Sequence, residues 1–120
     1  MQSTLKISVV GITLLLGATC VSALEANFNH PLYKDGSRLD VCFAFGQDCG
    51  QRPADVFCGV HGFERATSFE TEHANPTRIA GTGKSCTADF CEAFKSIVCF
   101  TSGAQPGRRL DWPHVIDTNN

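Results

Sequence analysis

The sequence predicts a small α+β, disulfide-rich domain with an antiparallel sheet of three to five strands and one main helix packed on it. Three observations support this class. The chain begins with an apolar segment that has the features of a cleaved leader. Removal of that leader leaves an even number of cysteines in a short chain. The remaining residues combine one helical pattern with several short runs of alternating apolar residues.

Residues 1–23 are predicted to be a signal peptide. Lys6 follows the amino terminus, and residues 7–16 form an apolar stretch that is too short for a membrane span of roughly 20 residues. Val21 and Ala23 are the small residues expected before a cleavage site. We therefore expect cleavage after Ala23, a secreted, extracellular protein, and no stable membrane insertion once the leader is removed.

The cysteine count predicts three disulfides. The chain has seven cysteines, and Cys20 leaves with the leader. Each bridge would contribute roughly 3 kcal/mol. Zinc is disfavoured because the chain has no C-x-x-C pair, so neither a metal ligand nor a cofactor is expected. Six cysteines allow 15 pairings, and a helix-to-strand bridge would join Cys58 to Cys99 or to Cys42. The cysteines expected to pair are Cys42, Cys49, Cys58, Cys86, Cys91 and Cys99.

Charge and aromatic content exclude some partners. Without the leader, the chain has nine Lys and Arg against twelve Asp and Glu, a formal net charge of −3. Nucleic acids and anionic membranes both require a basic face, so neither is an expected partner. Nine Phe residues accompany a single Tyr and a single Trp. This composition favours core packing over a broad carbohydrate-binding platform.

The first half of the domain is predicted to contain a loop, a strand and a helix. Residues 27–37 are expected to be a loop that ends in a turn at residues 34–37. A strand with one buried face follows, and residues 46–50 turn the chain at Cys49. The helix starts near Pro53 and is capped by Gly62. The apolar face of the strand consists of Leu39, Val41, Phe43 and Phe45, and that of the helix of Ala54, Phe57, Cys58 and His61.

The second half is predicted to be mainly strands. Residues 63–73 form a strand whose one side carries Phe63, Arg65, Thr67, Phe69 and Thr71. Residues 77–81 form another strand, residues 87–94 a short helical turn, and residues 95–100 the last strand. The disulfide-rich domain is assigned to residues 24–104, and residues 105–120 are expected to be a loosely ordered tail.

The segment GTGKSC, residues 81–86, resembles part of a nucleotide-binding loop. That motif requires a glycine four residues before its Gly-Lys-Ser, and Arg78 occupies this position. No strand ending in aspartate follows, and the remaining chain is too short for a parallel sheet. We therefore expect a turn that leads into a disulfide, with Gly81 and Gly83 at positive φ.

The run RLDVCFAFGQDCGQRPADVFCGVHGFERATSFE, with CTADFCEAFKSIVC behind it, resembles a family of small secreted six-cysteine proteins from plants and microbes. The similarity covers residues 38–99 and implies topology and localisation, but the family has no assigned activity. A shorter stretch, ADVFCGVHGFERA, is similar to the helix of scavenger-receptor cysteine-rich domains. It implies no binding residues.

No catalytic residue is assigned from the sequence. The four histidines are not spaced as metal ligands, and all six cysteines are expected to pair. Arg38 and Asp40 are expected to form a solvated charge pair on the outer face of the first strand. The candidate interaction residues lie in the tail, where an exposed Trp next to two cations could anchor a partner. They are Arg108, Arg109 and Trp112.

These features favour a secreted cysteine-rich binding or interaction protein, defence-related or effector-like, and not an enzyme. The expected partner is an extracellular protein or glycan. One alternative is an inhibitor of a secreted hydrolase that acts through residues 68–83. A second alternative is a small hydrolase that uses two carboxylates across a cleft.

Overall fold

A computed structural model describes residues 23–103 and 109–113. The predicted leader and most of the predicted tail lie outside the described residues. Within them, one helix, antiparallel sheets and three disulfides form a small domain, consistent with the predicted α+β class. In chain order the elements are β1 (Leu24–Asn29), β2 (Cys42–Ala44), β3 (Gln47–Cys49), α1 (Gln51–Val60), β4 (Arg65–His73), β5 (Thr77–Arg78), β6 (Ser85–Cys86) and β7 (Glu92–Thr101).

The largest sheet has three antiparallel strands in the order β1-β7-β4. Its central strand, β7, carries four fully or almost fully buried side chains: Ala93, Phe94, Ile97 and Cys99. A central strand is paired on both edges, which explains why the most apolar strand of the chain occupies this position. The predicted last strand is therefore confirmed, although it starts at Glu92 and not at Lys95.

Helix α1 packs across β4 and β7, as the sequence predicted. Ala54, Phe57 and Cys58 are buried on its inner face. Gly62 has a φ of +89° and ends the helix, and the amide of Phe63 donates to the carbonyl of Cys58 at 2.8 Å. This is the glycine-capped helix end expected from the sequence.

Strand β4 contains a bulge that the sequence pattern did not indicate. Ala66 pairs with Cys99 and Ser68 pairs with Val98, so Thr67 is an extra residue in the strand. Because of this shift, Ala66 and Phe69 lie on the same face although three positions separate them. The sequence predicted that Arg65, Thr67 and Phe69 share one side of the strand. This prediction is wrong, because the extra residue Thr67 interrupts the alternation of side chains between the two faces.

Two other predicted elements differ from the structure. The segment before residue 30, expected to be a loop, forms β1, because it pairs with β7 and because Phe28 packs edge-on against Phe57 at 5.1 Å. Residues 87–94 do not form a helical turn. A tight turn closed by the Cys86–Cys91 disulfide occupies residues 88–91, and Glu92 onward belongs to the sheet.

The predicted first strand is interrupted. Only Cys42–Ala44 pairs regularly, with β3, whereas Leu39 and Asp40 make isolated bridges to Arg78 and Ala93. Leu39 and Asp40 are both buried because they lie between β5 and β7. Phe45 was expected on the buried face but is 61% exposed at the tip of the β2–β3 hairpin.

The GTGKSC segment forms the expected turn into a disulfide. Gly83 has a φ of +76°, as predicted. Gly81 is required for a different reason: a Cβ at this position would lie 2.3 Å from the carbonyl oxygen of Phe43. The amide of Gly81 donates to that same oxygen at 3.0 Å, so the segment is joined closely to the end of β2.

The described residues divide into two regions. The sheet–helix region consists of β1, β4, β7 and α1, and it contains most of the apolar core. The hairpin region consists of β2, β3, β5, β6 and the turn at Asp89 and Phe90. No helix in the described residues has the length and apolar content to cross a membrane.

Candidate functional site

All six predicted cysteines form disulfides. Cys58 on α1 is joined to Cys99 on β7, one of the two partners that the sequence left open. The other bridges are Cys42–Cys49, which crosses the β2–β3 hairpin, and Cys86–Cys91. The first bridge lies in the core, whereas the other two lie in the hairpin region.

The two disulfides of the hairpin region face a concave, mainly apolar surface. We call it the disulfide pocket, and its volume is about 350 Å³. Ile79 supplies a fully buried apolar side chain to its wall. The residues that line the pocket are Asp40, Val41, Cys42, Phe45, Gly46, Cys49, Ile79, Cys86, Phe90, Cys91 and Glu92.

Two exposed phenylalanines stand at this pocket. Phe45 is 61% exposed and Phe90 is 64% exposed, and their rings meet edge to face with centroids 6.1 Å apart. Burial of a Phe side chain is worth about 1.5–3 kcal/mol, so two exposed rings leave a sizeable apolar area unused for folding. Exposed apolar groups of this kind mark interaction surfaces when they are contiguous.

Local chain geometry holds both rings outward. Phe45 and Gly46 form the two-residue turn between β2 and β3, and Gly46 has a φ of +69°. Phe90 lies in a turn in which the amide of Cys91 donates to the carbonyl of Ala88 at 3.1 Å. A disulfide closes each turn. Cys42 and Cys49 are seven residues apart in sequence, and Cys86 and Cys91 are five residues apart. The phenylalanines therefore have little freedom to fold back onto the core.

Asp40 provides the most buried polar group of the disulfide pocket. It is 5% exposed, and its Oδ1 accepts a hydrogen bond from the amide of Cys42 at 2.8 Å. Its Oδ2 accepts a short hydrogen bond from the hydroxyl of Thr77. The expected solvated pair with Arg38 is wrong, because Asp40 points inward. Arg38 donates instead to Glu72 at 2.7 Å and to the carbonyl of Phe94 at 3.0 Å.

Two other carboxylates, on Asp55 and Asp48, link α1 to a neighbouring strand. Asp55 Oδ1 accepts from the amide of Ala66, so it joins α1 to β4. Asp48 forms an exposed ion pair with Arg52 at 2.9 Å. Among the described residues, no group of three or more His, Cys, Asp or Glu side chains is arranged to hold a metal ion.

Hydrogen bonds lower the pKa of three carboxyl groups. Hydrogen bonding from Arg38 lowers the pKa of Glu72, with the charges of Arg38 and His30 acting in the same direction. The hydroxyl and amide of Ser102 lower the pKa of Glu64. The amide of Ser37 lowers the pKa of Asp35, which also pairs with Arg78 at 3.1 Å. All three stay ionised at neutral pH and act as structural acceptors.

The predicted interaction residues Arg109 and Trp112 lie beside α1, and Arg108 lies outside the described residues. Trp112 is half-buried, with its ring 4.9 Å from Tyr33 and 6.4 Å from Phe57. The amide of Leu110 donates to the carbonyl of Gly59 at 2.9 Å. Residues 109–113, expected in a loosely ordered tail, thus contact the helix.

These residues border a second concavity of about 450 Å³, which we call the tryptophan groove. It brings together the single Tyr and the single Trp of the chain. Its charged and titratable side chains are Lys34, Arg109, His30 and His61. Nδ1 of His61 donates to the carbonyl of Phe57 at 2.9 Å, which orients this ring along the helix.

The disulfide pocket was not predicted from the sequence. Phe45 was assigned to the core by alternation, and Phe90 to a helical turn. The available signal was an aromatic residue beside a short cysteine spacing, as in the segments FGQDC and DFC. A short disulfide loop cannot bury its own aromatic residue, so these two positions could have been marked as exposed.

Comparison with protein-family models, curated proteins and solved structures found no match to this chain. The resemblance to small secreted six-cysteine proteins therefore stays a prediction, and the site must be interpreted from its own geometry.

Proposed function

We propose that this chain is an exported binding protein and that the disulfide pocket is its ligand site. The observation that carries the proposal is the pair of exposed rings, Phe45 and Phe90, beside an apolar pocket whose wall contains two disulfides. Ligand sites in proteins are typically concave, mainly apolar and at least about 300 Å³ in volume. The disulfide pocket meets each of these conditions.

The disulfides support this role because they fix the pocket before a ligand arrives. Binding costs free energy whenever side chains and loops must be ordered. Cys42–Cys49 and Cys86–Cys91 hold the turns that carry Phe45 and Phe90, so this cost falls largely on the folding step. The proposed partner is an extracellular protein or glycan that presents an apolar group, in a defence-related or effector-like setting.

Export is part of the proposal. Three disulfides persist most readily in an oxidising compartment. Intact-mass analysis of secreted protein should show a chain that starts at Leu24 and is lighter than its reduced form by the mass of six hydrogens. A chain that retains Met1, or that gains no mass on reduction, would contradict export and bridging.

The two alternative functions have less support. Most of residues 68–83, the segment considered for an inhibitory loop, is part of the fold: Thr77, Ile79 and Ala80 are buried. Asp40 and Glu92 line the same pocket, as a two-carboxylate hydrolase would require, but the walls around them are mainly apolar. A binding site for an apolar group accounts for these walls, whereas a polar substrate does not.

A fluorescent apolar probe tests the site. N-phenyl-1-naphthylamine, a neutral dye that brightens in apolar surroundings, should bind the purified disulfide-bonded protein with one site per chain. The double variant Phe45→Ser with Phe90→Ser should bind at least about ten-fold more weakly, since each ring contributes on the order of 1 kcal/mol when a ligand covers it.

A matched control separates this effect from a general loss of exposed apolar surface. Leu24 and Leu32 are also exposed but lie outside the disulfide pocket. The double variant Leu24→Ser with Leu32→Ser should keep the affinity of the unmodified protein. Equal weakening in both double variants would place the dye elsewhere and contradict the proposal.

A further inference from the structure

We propose that the disulfide pocket selects an organic cation with an apolar body, such as an aryl or alkyl ammonium group. This inference rests on the proposed function, because it names the ligand class of the same site. Three features of the pocket carry it: the sign of its charged side chains, the partners of the Asp40 carboxylate, and the two exposed aromatic rings.

The charged residues of the pocket have one sign. Asp40 and Glu92 are the ionisable side chains that line it, and no Lys, Arg or His side chain is among its described lining residues. Fixed charges of one sign in an apolar cleft attract ligands of the opposite sign. The wall therefore favours a cation over an anion.

Among the described residues, the carboxylate of Asp40 has no cationic partner. The described part of the chain contains four ion pairs, and none involves Asp40. Its two hydrogen bonds, from Cys42 and Thr77, use about half of the acceptor positions that an ionised carboxylate offers. A buried charge is unfavourable unless it is paired. A cationic ligand in the pocket would supply the missing counter-charge.

The aromatic pair adds a second attraction for the same ligand class. The face of an aromatic ring attracts cations within about 6 Å of its centroid. Phe45 and Phe90 are set edge to face, with an angle of 87° between the ring planes, so the ring that presents its edge has neither face covered by the other ring. The same rings would also contact the hydrocarbon body of an organic ammonium ligand. A small inorganic cation has no hydrocarbon body, so it would not gain this contact.

The tryptophan groove gives an internal comparison on the same molecule. It is also lined by aromatic rings, but its lining includes Lys34 and Arg109 and no carboxylate from the described residues. Aromatic content alone would make the two concavities equivalent. The charged side chains are cationic in the tryptophan groove and anionic in the disulfide pocket, so an organic cation should prefer the disulfide pocket.

Three probes of nearly the same shape isolate the charge. Phenyltrimethylammonium and tert-butylbenzene differ by a positive nitrogen in place of a carbon, and benzenesulfonate carries a negative charge. Their affinities are measured by displacement of N-phenyl-1-naphthylamine from the purified disulfide-bonded protein. We expect phenyltrimethylammonium to bind about ten-fold more tightly than tert-butylbenzene, and benzenesulfonate to bind most weakly.

A pair of variants assigns the selectivity to the pocket. Glu92→Gln should reduce the preference for the cation over tert-butylbenzene about three-fold. Glu70→Gln is the matched control, because Glu70 is an exposed carboxylate on β4 outside the pocket. Asp40 is less suitable for a first test, because it accepts hydrogen bonds within the fold.

The outcomes separate the two proposals. Equal affinities for the cation and the neutral probe, or tighter binding of benzenesulfonate, would overturn the cation preference while the pocket remained a binding site. If no probe displaces the dye, or if the dye itself does not bind, both the ligand class and the proposed function are wrong. Equal effects of Glu92→Gln and Glu70→Gln would also overturn the cation preference, because the selectivity would not come from the pocket.

Discussion

The sheet–helix region and the hairpin region are stabilised in different ways. In the first, strands of six to ten residues pair and α1 covers them, so apolar side chains such as Phe94 and Ile97 are fully buried. In the second, the strands are two or three residues long and cover little of their own apolar surface. Phe45 and Phe90 remain exposed there.

The disulfides follow the same division. Cys58–Cys99 spans 41 residues, and both cysteines are fully buried. Cys42–Cys49 spans seven residues and Cys86–Cys91 five. Short cross-links can keep small turns in shape where the strands on either side are only two or three residues long. The hairpin region can therefore present apolar rings to a ligand without losing its shape, which the sheet–helix region could not do.

The largest expected effect is the loss of the long bridge. Loop closure predicts that a 41-residue bridge contributes about 3.9 kcal/mol and a seven-residue bridge about 2.4 kcal/mol. The double variant Cys58→Ala with Cys99→Ala should therefore lose about 1.6 times the unfolding free energy lost by Cys42→Ala with Cys49→Ala. Guanidinium titration followed by circular dichroism measures both. A larger loss of unfolding free energy on removal of Cys42–Cys49 than on removal of Cys58–Cys99 would contradict this prediction.

The next effect concerns the close contact between β2 and the glycine turn. Gly81→Ala would place a Cβ 2.3 Å from the Phe43 carbonyl oxygen and 2.6 Å from its ring, so we expect a loss of about 3 kcal/mol. Gly59→Ala is the matched variant in α1. There the new Cβ would lie 2.7 Å from a terminal methyl carbon and 3.3 Å from Cγ of the exposed Leu110 side chain, which can rotate away. Thermal unfolding should show a large loss for Gly81→Ala and none for Gly59→Ala, and equal losses would contradict the contact.

Two aspartates give a smaller and equally direct contrast. Asp55→Ala removes the acceptor of the Ala66 amide in the sheet–helix region and should cost about 1–3 kcal/mol. Asp48→Asn replaces the exposed ion pair with Arg52 by a neutral contact and keeps a residue type that tolerates the φ of +52° at this position, so it should change the unfolding free energy by less than about 0.5 kcal/mol. Urea titration compares them. If Asp55→Ala leaves the unfolding free energy unchanged, the hydrogen bond between α1 and β4 does not contribute to stability.

The smallest effect is a dependence on pH that belongs to the sheet–helix region. Hydrogen bonding from Arg38 lowers the pKa of Glu72 below its ordinary value of 4.5. A carboxyl group with a lowered folded-state pKa stabilises the protein above the unfolded pKa, and this stability is lost as the pH falls through the folded pKa. The unfolding free energy should therefore decrease below pH 4.5, and less steeply in Glu72→Gln. Superimposable pH profiles would contradict the role of Glu72.

The elements that were predicted correctly have local causes. Helix α1 has a proline in its first turn, an apolar face at Ala54 and Phe57, and a terminal glycine, all of which act within ten or so residues. The number of bridges followed from the even cysteine count. Strand β1 was not predicted because its asparagines are poor strand formers, and its strand conformation depends on pairing with β7, which lies about 70 residues later.

The proposed binding site could not be predicted because it combines segments that are distant in sequence. Asp40 was placed on the surface by simple alternation, yet it is buried, with a bridge to Ala93 and a hydrogen bond from its amide to the carbonyl of Arg78. Phe45 and Phe90 meet only because the two short disulfide loops lie side by side. The interaction role of Arg109 and Trp112 stays a prediction, and the sequence did not indicate that Trp112 is half-buried against Tyr33.

The most direct test of the proposed site is a chemical-shift map recorded during titration with toluene, a small neutral probe that does not depend on the charge preference. The account predicts saturable shifts of the backbone amides of Cys42, Gly46, Ile79, Phe90 and Cys91, with the amides of Lys34, His61 and Arg109 unchanged. Saturable shifts centred on the tryptophan groove, or no saturable shift at all, would contradict the assignment of the disulfide pocket as the ligand site.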